Sequence, residues 1–89
     1  MLYILYSADY ELYLGSNLQP EEEVLIQPTG RLLATCDRLH IPLTLFADLA
    51  CLWRYRELGS TRFPDSAEAQ LQNAIQRRHD VQTHLHPHW

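Results

Sequence analysis

The sequence predicts an α/β fold: a parallel sheet of about three strands joined by crossover helices. Three observations carry that expectation. Strand-like segments occur at 2–8, 43–47 and 80–85. Segments with helical spacing separate them. The resulting order of strand, helix, strand, helices and strand is that of two consecutive crossover units, which run parallel and right-handed.

The elements follow in chain order. Residues 2–8 (LYILYSA) form a nearly continuous apolar run and read as a fully buried strand. Residues 9–20 carry Gly15, Ser16, Asn17 and Pro20 and read as a long loop. A helix is expected from Glu21 to His40, opened by the solvated run Glu21-Glu22-Glu23 and interrupted or restarted at Pro28, with Thr29 as N-cap after the break. Leu32, Leu33, Cys36 and Leu39 then lie on one helical face. Pro42 precedes a second buried strand, Leu43-Thr44-Leu45-Phe46-Ala47, and Asp48 closes it as a cap for the helix at 49–58, with Gly59 at its C′ position. Pro64-Asp65-Ser66 predicts the next helix start, with Asp65 or Ser66 as cap. Ala67, Leu71, Ala74 and Ile75 form its apolar stripe, and Arg77 and Arg78 lie in its last turn. Residues 80–85 (DVQTHL) are the third strand.

Composition narrows the function classes. Hydrophobic residues make up 46% and charged residues 20% of the 89, a globular balance for one thin-cored domain. All seven basic residues are Arg, they are scattered, and the net charge is -4. A nucleic-acid surface would show a basic stripe, so none is expected. The opening apolar run is too short for a membrane span and lacks a basic leader, which points to a cytoplasmic protein. Cys36 and Cys51 have no finger spacing; Cys36 reads as a buried free thiol on an apolar helix face. His40, near a helix end, reads as a dipole partner, and His79 as a residue that packs before the third strand. Trp53, Tyr55 and Phe63 read as packing groups rather than a sugar-stacking surface.

Parallel sheets place ligand sites at the carboxyl ends of their strands. Here those ends finish in Asp9 with Glu11, in Asp48, and in Thr83-His84-Leu85-His86-Pro87-His88-Trp89. Three imidazoles within five residues form a dense ligand set for zinc and related metals. Asp9 and Glu11, two apart in extended backbone, face one side; one can ligate a divalent ion while the other accepts a proton. Carboxylate and imidazole donors together describe a hydrolytic metal centre.

These residues resemble a known family. The stretch His79-Asp80-Val81-Gln82-Thr83-His84-Leu85-His86-Pro87-His88 is similar to the second motif of the polysaccharide deacetylase superfamily (NodB homology, carbohydrate esterase family 4), whose two metal-binding histidines match His84 and His88. The motif's leading glycine is Arg78 here. Ser7-Ala8-Asp9-Tyr10-Glu11 resembles branches of the first motif that separate the acids as D-x-D or D-x-E, and Leu43–Ala47 resembles the family's second strand. On the D-x-E match Asp9 is the general base and Glu11 the metal carboxylate. The adjacent-acid form would put Tyr10 in the metal position and leave Asp9 as the ligand, and both assignments stand open at this stage.

The resemblance implies a distorted (β/α) barrel that removes N- or O-acetyl groups from glycans, using a divalent metal, zinc before cobalt or nickel. The match covers the amino-terminal part of that domain across residues 1–89. A complete barrel needs on the order of 200 residues. The expected protein is therefore a single partial deacetylase-like domain that binds metal through Asp9, Glu11, His84 and His88. Alone it is a catalytically incomplete hydrolase, whose partners are an acetylated glycan and either further copies or a missing carboxyl-terminal portion. The alternatives are a non-catalytic α/β module that completes its sheet by oligomerising, and a simple metal-binding protein.

Overall fold

A computed structural model describes residues 2–12 and 20–84. Strands β1 (Tyr6–Tyr10), β2 (Leu43–Ala47) and β3 (Asp80–Thr83) form one parallel sheet in the order β1-β2-β3. Helix α1 (Gln27–Arg38) lies on the first crossover; α2 (Leu49–Glu57) and α3 (Arg62–Gln76) lie on the second. This is the α/β fold that the order of segments predicts.

The central strand shows the two-residue period of a sheet with two unlike faces. Leu43, Leu45 and Ala47 are buried, while Thr44 and Phe46 are half-buried. Register aligns Ala8 and Val81 with Leu45, and Tyr10 with Ala47. That face packs into one core with Leu25, Leu33, Leu52, Phe63, Leu71 and Ala74 from the helical segments. Ser7, Asp9, Asp80 and Gln82 align with Thr44 or Phe46 on the other face and are exposed.

Strand β1 starts later than the apolar run. Leu2, Tyr3, Ile4 and Leu5 precede it and are 66–92% exposed, so the expected buried strand at 2–8 is corrected to Tyr6–Tyr10. Pairing begins at Tyr6 with Leu43. The residue before Leu43 is Pro42, which has no N–H to extend the ladder, so the earlier residues meet no partner on β2.

Pro28 does not break the first helix, and Thr29 is buried inside it rather than capping it. A π-helical turn, Glu22–Ile26, leads directly into α1, with the Gln27 N–H bonded to the Glu22 carbonyl five residues back. Proline removes one N–H and crowds the carbonyl four residues earlier; a wider turn in front of it relieves both conflicts. Leu33 and Cys36 face the core, whereas Leu32 and Leu39 are exposed.

Asp48 caps α2 as expected: its Oδ1 accepts the Cys51 N–H at 3.2 Å. Helix α3 begins at Arg62, earlier than the predicted start, after Thr61, and neither Asp65 nor Ser66 is its cap. Ala67, Leu71 and Ala74 are buried along its inner stripe, but Ile75 is 55% exposed. Tyr55 and Phe63 pack together with ring centroids 4.9 Å apart, so Phe63 belongs to the core; Trp53 is exposed. Cys36 and Cys51 are buried free thiols. Burial and the nearby carboxylates of Asp48 and Glu21 push the Cys51 thiol up to about 12, which keeps it neutral and unreactive.

All three helices end in the same backbone figure. The N–H two residues past the C-cap bonds the carbonyl five residues back: Ile41 to Cys36, Ser60 to Tyr55 and His79 to Ala74, at 2.8–3.0 Å. The residue between is left-handed in each case: His40 (φ 56°), Gly59 (φ 86°) and Arg78 (φ 71°). Glycine adopts that conformation freely, whereas a residue with a Cβ bears a cost of about 1–2 kcal/mol.

No helix among the described residues is long and apolar enough to cross a membrane.

Candidate metal centre

The carboxyl ends of the strands converge on a small polar cluster. The Asp48 N–H bonds the Tyr10 carbonyl (3.1 Å) and the His84 N–H bonds the Ala47 carbonyl (2.8 Å), so the ladder carries Glu11 and His84 one step past the strand ends at one level. Strand alternation puts Asp9 and Glu11 on one face of β1, and His84 on the matching face of β3. Both edge strands flank β2, and their side chains meet over its carboxyl end.

His84 Nε2 lies 3.3 Å from Glu11 Oε2 and 3.8 Å from Asp9 Oδ2. One ligand atom from each of the three residues falls within 4.8 Å of the others. The Glu11 side chain is 25% exposed, His84 31% and Asp9 56%. Two carboxylates and one imidazole are a donor set that suits a divalent cation, with the imidazole favouring zinc-like ions. A metal ion in their midst would offset the repulsion of the paired carboxylates.

Tyr10 turns away from the two acids. Its side chain is 3% exposed on the opposite, helix-covered face, and its hydroxyl donates to Gln70 Oε1 at 2.8 Å. Burial, with the Glu22 charge beyond it, raises the tyrosine pKa and keeps the hydroxyl neutral. The position after Asp9 therefore points away from the cluster, and the neighbouring carboxylate is that of Glu11. His86 and His88 lie outside the described residues. Asp48 is occupied as the α2 cap and is not part of the cluster that the three donors form.

Beside the two acids runs a groove of about 230 Å³ between β1 and α1, walled by Ala8, Leu25, Thr29 and Leu32. Asp9 and Glu11 line it as well.

Sequence reasoning missed two groups that hold this end and the opposite one in place. Gln70 on α3 accepts from Tyr10 and donates its amide N–H to the Ile26 carbonyl at 2.8 Å, joining β1, α3 and the π-helical turn. The signal is present: Gln70 sits beside Leu71 and three residues after Ala67, a polar residue at a core-stripe position. The second group is the His79–Asp37 pair at the amino-terminal ends of the strands. His79 Nδ1 accepts the Leu43 N–H at 3.0 Å, and Nε2 lies 2.7 Å from Asp37 Oδ1. This geometry assigns a neutral ring with its proton on Nε2. Arg77 also pairs with Asp37, and hydrogen bonds from Arg77 and His79 hold the Asp37 carboxyl below the usual range. Nothing in the residue spacing announces that His79 bridges two chain segments 36 positions apart.

Compared with protein families, curated proteins and solved structures, the chain matches none.

Proposed function

We propose that the chain is a divalent-metal-binding portion of a carbohydrate-deacetylase-like hydrolase. The observation that supports it best is the meeting of Asp9, Glu11 and His84 donor atoms within 4.8 Å at the carboxyl edge of a parallel sheet. Glu11 and His84 would hold the ion. Asp9, the more exposed carboxylate, would accept a proton. The ion, when bound, supplies positive charge that polarises an acetyl carbonyl and acidifies water. The apolar groove beside the acids offers a surface along which an acetylated sugar lies.

Titration calorimetry with Zn²⁺ is expected to show one site per chain, lost in His84→Ala. Acetate release from an acetylated chitooligosaccharide by the 89-residue chain is expected to stay at background, because the residues that would complete a barrel site are not among these. Absence of Zn²⁺ binding would remove the metal reading; measurable acetate release would remove the incompleteness.

A second reading, association through the sheet edge, is favoured by the exposed run Leu2-Tyr3-Ile4-Leu5 beside edge strand β1. Such a run templates pairing with another chain. Sedimentation equilibrium is expected to show a dimer or larger species that Ile4→Lys returns to monomer; a monomeric parent chain would end this reading.

A further inference from the structure

The left-handed residues His40 and Arg78 lie in the same pocket. It measures about 340 Å³, sits at the amino-terminal ends of β2 and β3, and its lining includes Asp37, His40, Ile41, Pro42, Arg77 and Arg78. This is the end of the sheet opposite the metal centre. Both residues hold a conformation that glycine would adopt without cost, as Gly59 does at the end of α2. Among the described residues, no hydrogen bond or ion pair engages either side chain. The left-handed backbone belongs to the helix-ending turns, and it carries two polar side chains that serve no internal bond to the wall of one cavity.

The charges in the pocket define what it would take. Asp37 is answered by Arg77 and by His79 Nε2. Arg77 is committed, with Nη1 donating to Asn73 Oδ1 and Nη2 to Asp37 Oδ2; that leaves the Arg78 guanidinium and the His40 imidazole as uncommitted donors. The carboxyl ends of α1 and α3 point here, and their negative ends would repel an anion. Their closing turns bond the carbonyls of Cys36, Asp37, Ala74 and Ile75 to backbone N–H groups, which mutes that repulsion. Cys36, Ile41 and Pro42 add an apolar wall.

We propose that this pocket binds a small phosphate monoester, with Arg78 and His40 on the phosphate and Ile41 and Pro42 against the organic group. Guanidinium forks match phosphate oxygens in geometry and charge. The proposal is independent of the metal reading.

The test uses metal-free protein, NMR titration with inorganic phosphate and with phenyl phosphate, and chloride at matched ionic strength. The expected result is saturable shifts confined to residues 36–42 and 77–79 with both phosphates, tighter for phenyl phosphate, and none with chloride. Arg78→Gly and His40→Gly are expected to weaken phosphate at least about tenfold. The same variants should raise the thermal midpoint by about 2–6 °C, because glycine relieves the left-handed strain. Since the glycine variants are expected to fold better than the parent, loss of binding cannot come from loss of structure. Three results would overturn the proposal: no saturation by phosphate on the order of 10 mM, equal shifts with chloride, or glycine variants that bind as tightly as the parent.

Discussion

Replacing His79 with alanine is expected to destabilise the chain by about 3–4 kcal/mol, the largest single-residue effect outside the apolar core. The His79 side chain is 2% exposed and its Nδ1 is the acceptor for the Leu43 N–H. Leu43 is the first residue of the central strand, and its N–H is taken by the His79 ring. Alanine would leave it buried without an acceptor, at about 1–3 kcal/mol, and would remove the packing of the ring, at about 1–2 kcal/mol. A domain of this length has a total stability of roughly 4–13 kcal/mol, so a large share would be lost. Urea unfolding followed by circular dichroism reads the change. His79→Asn is the informative companion, because its Oδ1 can occupy the place of Nδ1 while the contact to Asp37 is lost. The asparagine variant should recover part of the loss. A shift of less than about 1 kcal/mol in His79→Ala would show that the bridge between α3 and β2 is incidental.

That bridge marks the boundary of what the sequence reveals. The strands and helices are legible because apolar runs and helical spacing alternate, and each such pattern has a local cause. Strand 43–47 is read correctly to the residue, since Pro42 and Asp48 punctuate it on both sides. Strand β1 is not, because LYILYSA is apolar on both faces and carries no two-residue alternation to set its limits; its start is set by Pro42, which precedes its partner strand. The π-helical turn before Pro28 is equally non-local: its wide ladder is stabilised by the Gln70 amide from α3. The acidic cluster was legible for its residues and their shared face. The bond that holds Tyr10 on the opposite face was not, since its partner Gln70 lies sixty positions away. Arg78 gains a physical reading as well. The backbone at that position is left-handed. Glycine adopts that conformation freely, so an arginine there is a conformational cost borne by this chain.

The two carboxylates of the candidate centre are expected to separate in their response to neutralisation. Glu11→Gln should weaken Zn²⁺ by at least about a hundredfold, since even outer partners of metal ligands cost 10–100-fold when removed. Asp9→Asn should weaken it less than about tenfold. The difference follows from position. Glu11 is the nearer of the two to the imidazole, 3.3 Å against 3.8 Å, and the more enclosed, 25% against 56% exposed. A carboxylate held in partial burial gives up less hydration on binding an ion and is held closer to the second donor. An exposed carboxylate acts on the ion mainly through charge screened by water. The geometry also excludes a trivial cause. Asp9 and Glu11 share one face of a strand, so removing either charge relieves repulsion in the metal-free protein. Both variants should therefore unfold at or above the parent midpoint without metal, and weakened binding cannot be blamed on misfolding. Calorimetry with Zn²⁺ and thermal unfolding with and without the ion give both quantities from one preparation. If Asp9→Asn proves the more damaging, Asp9 is the ligand and Glu11 the proton acceptor. Equal and small losses in both would mean that the cluster is a solvated acidic edge, held together by His84 alone.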